Sequence, residues 1–117
     1  MVRRIAVLLT SVSVATAALV APAFAEWPDR PLKLIVPFAA GSSSDTIARI
    51  VAAKAGEKLG QQIVVENRVG ASTVIGTDAV AKSAPDGYTL GLANTTTHAA
   101  SAALNSNLPF DPVKDFT

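Results

Sequence analysis

Three short stretches of this sequence carry residue types suited to holding a small anion. The first, Pro37-Phe38-Ala39-Ala40-Gly41-Ser42-Ser43-Ser44-Asp45, sets a glycine, three consecutive hydroxyls and a carboxylate between an apolar run and a run of helical periodicity. The second, Arg68-Val69-Gly70-Ala71-Ser72-Thr73, also opens a helical pattern, and the third is Asn94-Thr95-Thr96-Thr97-His98. Glycines and hydroxyls at a helix start leave backbone N–H groups free, and the helix end adds about half a positive charge. An aspartate closing the first stretch is unexpected in an anion site. A carboxylate at a helix start can instead accept first-turn N–H bonds, which would make Asp45 scaffold and leave Asp45→Asn largely folded.

The same residues fit other chemistries less well. A serine hydrolase needs a base beside its nucleophile and a third group to orient that base, and Ser43, His98 and an aspartate could be assembled on paper. The chain has no G-x-S-x-G elbow, however, and His98 is its only histidine, so a surface or helix-start role suits it better. A phosphate-binding loop would need G-x-x-x-x-G-K-[ST], whereas GSSSD has no lysine nearby, and GASTVIG lacks the G-x-G-x-x-G spacing. One histidine, no cysteine and scattered carboxylates offer no metal ligand cluster, and no cofactor is expected. Non-covalent capture through amides and hydroxyls remains. Any single loop of this kind is explained as readily by turns and helix caps; three of them at one sheet edge favour a ligand.

The flanking elements would bring them there. Leu32 to Val36 (LKLIV) reads as a strand buried on both faces, ended by Pro37, which has no N–H for the ladder. Ile47, Ile50, Val51, Ala55 and Leu59 recur at helical spacing, with Arg49, Lys54, Glu57 and Lys58 left mainly for solvent and Gly60 placed to stop the helix. Gln61 to Asn67 predicts a second strand. Val74 to Ser83 predicts a second helix with Val74, Ile75 and Val80 as its contacts, followed by a turn at Pro85-Asp86-Gly87. Tyr88 to Ala93 predicts a third strand, and AASAAL (Ala99 to Leu104) a third helix. Alternating strands and helices with short connections imply an α/β fold with a parallel sheet, whose ligands bind at the carboxyl ends of the strands.

The first 25 residues have the order of a signal peptide: Arg3 and Arg4, an apolar stretch from Ile5 to Val20, then Ala23-Phe24-Ala25 as a cleavage site. That stretch is shorter than the ~20 residues of a membrane span. Cleavage after Ala25 and a periplasmic location are expected. The whole chain has 117 residues and a net charge of +1, but without residues 1–25, which hold two arginines and no acidic residue, 92 residues of net charge about −1 remain. No cluster of Lys and Arg persists there, so nucleic acid is not an expected partner.

At the three loops the sequence resembles the extracytoplasmic solute-binding receptors of tripartite tricarboxylate transporters, the Bug proteins. The likeness runs from Trp27 to Phe116 through WPDRPLKLIVPFAAGSSSD, LGQQIVVENRVGAS, IGTDAVAKSAPDGYTLGLANTTTHA and LPFDPVKDF. It implies a type II periplasmic-binding-protein-like fold and a small carboxylate as ligand. Phe38 to Asp45 and Gly70 to Thr73 would be the carboxylate loops, with Asn94 and Thr95 as further contributors. It also implies transporter permease subunits as partners and a monomeric receptor that is not an enzyme. Such receptors are longer, so residues 26–117 are expected to form only the first part of the first domain and to bind weakly alone. Ser42, Ser72 and Thr73 stand where the family usually has glycines. The other functions weighed are presentation of ligand to a membrane sensor kinase and a fragment of a secreted α/β hydrolase.

Overall fold

The computed structural model describes residues 26–117; the expected signal peptide, residues 1–25, lies outside the described residues. Three strands, β1 (Leu32–Val36), β2 (Ile63–Asn67) and β3 (Thr89–Gly91), alternate with three helices, α1 (Ser43–Leu59), α2 (Val74–Ala81) and α3 (Ser101–Leu104). The strands form one parallel sheet in the order β2-β1-β3. Leu32 to Val36 pair in register with Ile63 to Asn67, and Lys33 to Ile35 with Thr89 to Gly91.

Strand alternation separates the two faces of this sheet. Leu34 and Val36 point to the face covered by α1, where they meet Ala48 and Ala52, with Phe38, Ile63, Val65 and Leu92 packed around them. Ile35 belongs to the other face. There its partner Gly91 lies under α2, close enough that a Cβ would fall 2.9 Å from Val80 Cγ2. Two crossovers of one hand, one leading from β1 to its left neighbour and one leading to its right, require helices on opposite faces. The chain order therefore fixes the layer order.

The strand and turn signals hold closely. β1 spans Leu32–Val36 as its composition predicts; β2 and β3 are each shorter at their ends than the apolar runs suggest. Gly60 closes α1 in the left-handed conformation at φ 67°, and Gly87 in the turn before β3 has φ 79°. Ahead of β1, the Trp27 ring meets Tyr88 edge-on and the Arg30 guanidinium lies 4.1 Å from the Tyr88 ring centroid. Tyr88 also donates its hydroxyl to Asp29, an acceptor that pushes the phenol's pKa up. This cluster fastens the start of the described chain to the turn entering β3.

The helix faces differ from expectation. In α1 the buried residues are Asp45, Ala48 and Ala52, while Ile47, Ile50 and Val51 are each more than half exposed. The reason is distance: a helix lying close on a sheet turns its small residues inward, as Ala48 and Ala52 do against Leu34 and Val36, and where α1 meets the chain entering β2 a Cβ on Gly56 would fall only 2.9 Å from the Gln61 carbonyl oxygen. In α2 the buried positions are Gly76 and Thr77; Ile75 is exposed, Val74 and Val80 are half-buried, and the helix ends at Ala81 rather than Ser83. A π-helical turn, Thr96–Ala100, leads directly into α3. Among the described residues no helix is long and apolar enough to cross a membrane.

Candidate functional site

All three expected loops leave the carboxyl ends of adjacent parallel strands. The order β2-β1-β3 puts the switch in chain direction between β1 and β3, where open α/β sheets hold ligands.

The first loop, Phe38 to Ser42, is a preformed turn. Ser42 N–H donates to the Ala39 carbonyl (3.1 Å) and Gly41 adopts φ 81°. Ser42 is the N-cap of α1: its Oγ accepts from Asp45 N–H (3.2 Å) and its carbonyl from Thr46 N–H (2.9 Å). The N–H groups of Ser43 and Ser44 lie ahead of the first intrahelical bond and have no helical partner. Their hydroxyls likewise make no hydrogen bond among the described residues.

Asp45 therefore sits three residues inside the cap and is 3 % exposed. It does not accept a first-turn N–H. Its Oδ2 accepts from Gly41 N–H (2.8 Å) and from Arg49 Nε (3.0 Å), and its Oδ1 accepts from Asn67 Nδ2 (2.9 Å). These donors, Arg49 foremost, lower its pKa from 3.8 to about 2. The expectation that Asp45→Asn leaves the fold largely intact is revised accordingly, because the carboxylate joins the loop, α1 and β2.

The second loop is held in a conformation that its residue types disfavour. Gly70 has φ 144°, and the three residues after it are left-handed: Ala71 at φ 45°, Ser72 at 53° and Thr73 at 80°. Each such L-residue costs about 1–2 kcal/mol, and strain of this kind collects at functional sites. Thr73 is 7 % exposed, yet its Oγ1 has no hydrogen-bond partner among the described residues, while its carbonyl accepts from Thr77 Oγ1 (2.9 Å). A buried hydroxyl with no partner costs ~1–3 kcal/mol. Thr73→Val keeps the branched side chain and removes the orphan oxygen, so it is expected to raise the ligand-free thermal midpoint by roughly 4–8 °C. Calorimetric unfolding reads this directly, and a lowered midpoint would show that the hydroxyl is already satisfied.

The third loop is more self-contained. Asn94 Oδ1 accepts from the N–H groups of Thr96 and Thr97, at 2.9 and 3.1 Å, which points this oxygen at its own helical turn. Thr95 is exposed, and fully buried Thr97 bonds Asn94 through both its backbone and its hydroxyl. The left-handed turn at Ala71–Thr73 packs against the turn at Thr96–Ala100. His98 is half-buried, with Nδ1 2.8 Å from Thr97 Oγ1 and its ring edge-on to Phe116 at 4.7 Å. Its surroundings are those of a packing residue.

Sequence reasoning overlooked Arg49 and Asn67 as parts of the site. Arg49 was detectable, since it stands four residues after Asp45 on one helix face. Asn67 comes from another element 22 residues from Asp45, and nothing local marks it. Among the described residues no three His, Asp or Glu side chains gather as a metal site.

The parallel sheet with its flanking helices is part of a domain of the periplasmic-binding-protein type. Residues 47–117 match the family described as "Tripartite tricarboxylate transporter family receptor", and the chain belongs to that family of solute-binding receptors, which are not enzymes. It is 44% identical over 117 residues to Protein BugT of Bordetella pertussis, covering 98% of this chain and 35% of BugT. It is 45% identical over 115 residues to a protein from the TAR-I ttuE-ttuC' intergenic region of Agrobacterium vitis, covering 98% and 32%. MatC from Rhodopseudomonas palustris with bound malate superposes with a TM-score of 0.75 at 43% identity, over 78% of this chain and 31% of MatC. R. palustris Rpa4515 with adipate gives a TM-score of 0.71 at 38% identity, over 74% and 29%. The chain thus spans about a third of the length of the relatives it matches.

Proposed function

We propose that this chain carries the carboxylate-binding part of an exported receptor that captures a small dicarboxylate for a tripartite tricarboxylate transporter. The observation that carries this reading is a strained left-handed loop, Ala71 to Thr73, with a buried and unpartnered Thr73 hydroxyl, at the same strand-end edge of the sheet as the free helix start at Ser43 and Ser44. A carboxylate oxygen is the acceptor such a set of donors lacks. Malate and adipate, named as bound to two structural neighbours, give the ligand class. In this reading Phe38 to Ser44 and Gly70 to Thr73 form the site, with the N–H and hydroxyl groups of Ser43 and Ser44 as donors from the first loop, since the Gly41 and Ser42 N–H groups are held within it; Asn94 and Thr95 border the site, and Asp45 holds the first loop.

The receptor acts as a periplasmic monomer that hands its ligand to the permease subunits. Residues 1–25 serve as its signal peptide, and the mass of the exported protein is expected to correspond to a chain starting at Glu26. A mass that includes residues 1–25 would contradict cleavage there.

The chain spans about a third of the length of these relatives, and the site that residues 26–117 offer by themselves is open to water. Solvent-competed hydrogen bonds contribute ~1 kcal/mol each, and three or four of them give a Kd near millimolar. Titrating malate and adipate into the isotopically labelled 117-residue chain is expected to shift the amides of Ala39–Ser44 and Ala71–Thr73 with that affinity. Equal shifts from an uncharged diol of the same length would contradict the carboxylate reading, and micromolar affinity would contradict the reading of an open site.

A further inference from the structure

Three side chains from two elements close a ring behind the first loop. Arg49 spans two acceptors with its planar fork: Nε donates to Asp45 Oδ2 at 3.0 Å and Nη2 to Asn67 Oδ1 at 3.0 Å. The Asn67 amide completes the circuit by donating to Asp45 Oδ1 at 2.9 Å, and it donates also to the Phe38 carbonyl at 3.0 Å. Asp45 Oδ2 in turn holds Gly41 N–H. The ring thus grips the loop at both ends, at Phe38 and at Gly41, and ties it to the last residue of β2, from which the second loop departs.

We propose that the Arg49–Asp45–Asn67 ring is a positioning device that sets the first loop in its binding geometry before ligand arrives and cancels the Asp45 charge that would otherwise repel an anion there. The inference rests on the carboxylate reading for its second half only. Arg49, Asp45 and Asn67 are positioning residues, since the side-chain hydrogen bonds they make go to one another and to the loop backbone. Lysine at position 49 would keep the charge but could not bridge two acceptors in one plane. A loop preset in this way loses less freedom when ligand binds.

The ligand-free full chain provides the first test, by backbone order parameters at a temperature well below every variant's unfolding midpoint. Wild type is expected to show values of about 0.85 through Ala39–Ser44. Asn67→Ala and Arg49→Lys are expected to lower these below ~0.6 while the amides of Ala52 to Leu59 keep theirs. Loosening of both segments together would make the ring a support of α1 as a whole and would overturn the presetting role, as would loop amides as rigid as in wild type.

Malate titration with the same amide readout is the second test. Arg49→Gln leaves Asp45 uncompensated and is expected to weaken malate about five- to tenfold; Asp45→Asn combined with Arg49→Gln removes both charges and is expected to recover part of that loss. A double variant no better than the single overturns the charge-cancelling role. No malate response in wild type would refute the carboxylate reading together with that role, and the ligand-free measurement would still decide the presetting.

Discussion

Asp45→Asn is expected to lower the thermal midpoint at pH 7 by roughly 10 °C. The carboxylate accepts from Gly41, Arg49 and Asn67. An asparagine amide oxygen can keep either the Gly41 and Arg49 contacts or the Asn67 contact, and its NH2 must then face the Asn67 Nδ2 donor in the first case or Gly41 N–H and Arg49 Nε in the second. Donor against donor in a buried position costs more than a missing bond, because neither group can turn to water. Arg49 moderates the loss, since its side chain is half exposed and can be solvated in part.

The pH dependence has a definite sign. Asp45 has a folded pKa of about 2, below its ordinary 3.8, so it binds a proton more readily when unfolded. Its contribution is complete above the unfolded value and is lost as pH falls from about 4 through about 2. Glu66, held low first by Arg68 and then by Lys33, and Asp111, held low by the Val113 and Lys114 N–H groups, add slope of the same sign. Wild type should therefore lose stability steeply on acidification, and Asp45→Asn should show a flatter limb between pH 4 and 2. Thermal midpoints followed by circular dichroism across that range decide the matter, and parallel limbs for the two proteins would remove Asp45 from the account.

Gly76→Ala is expected to be more damaging still, although alanine usually stabilises a helix interior by roughly 0.5–1 kcal/mol over glycine. A Cβ at position 76 would fall 2.6 Å from the Arg68 carbonyl oxygen, 2.7 Å from Pro37 Cβ and 3.0 Å from Pro37 Cα. The contacts are with backbone and a rigid ring, so no side-chain rotation relieves them and α2 must lift from β1. Overpacking of this severity costs ~3 kcal/mol, which outweighs the propensity gain and lowers the midpoint by roughly 10–20 °C. Because α2 follows the left-handed turn directly, the displacement should also disturb Ala71 to Thr73, visible as amide shifts there. An unchanged or raised midpoint would mean that α2 does not sit this close to Pro37.

Much of the framework is legible in the residues because its causes are local. Leu32–Val36 is a strand since it is short, apolar and stopped by a residue that cannot donate to a ladder. Gly60 ends α1 since only glycine takes φ 67° without penalty. The alternation of strand and helix carries the parallel sheet, and the loop compositions mark the edge at which open α/β sheets hold ligands. The family resemblance rests on ordered phrases across the same stretch.

Tertiary structure decided the rest, for reasons of distance and company. Amphipathic spacing selects the bulkiest apolar residues of α1, but the close sheet admits only Ala48 and Ala52, and Ile47, Ile50 and Val51 face outward. Composition cannot announce three left-handed residues at Ala71 to Thr73, because alanine, serine and threonine all prefer negative φ. The role of Asp45 was half visible: the sequence by itself determined that a carboxylate lies at the helix start with Arg49 one turn on. Only the fold brought Asn67 from the end of β2 to complete the ring, since a bond between residues 22 apart depends on how two strands pair.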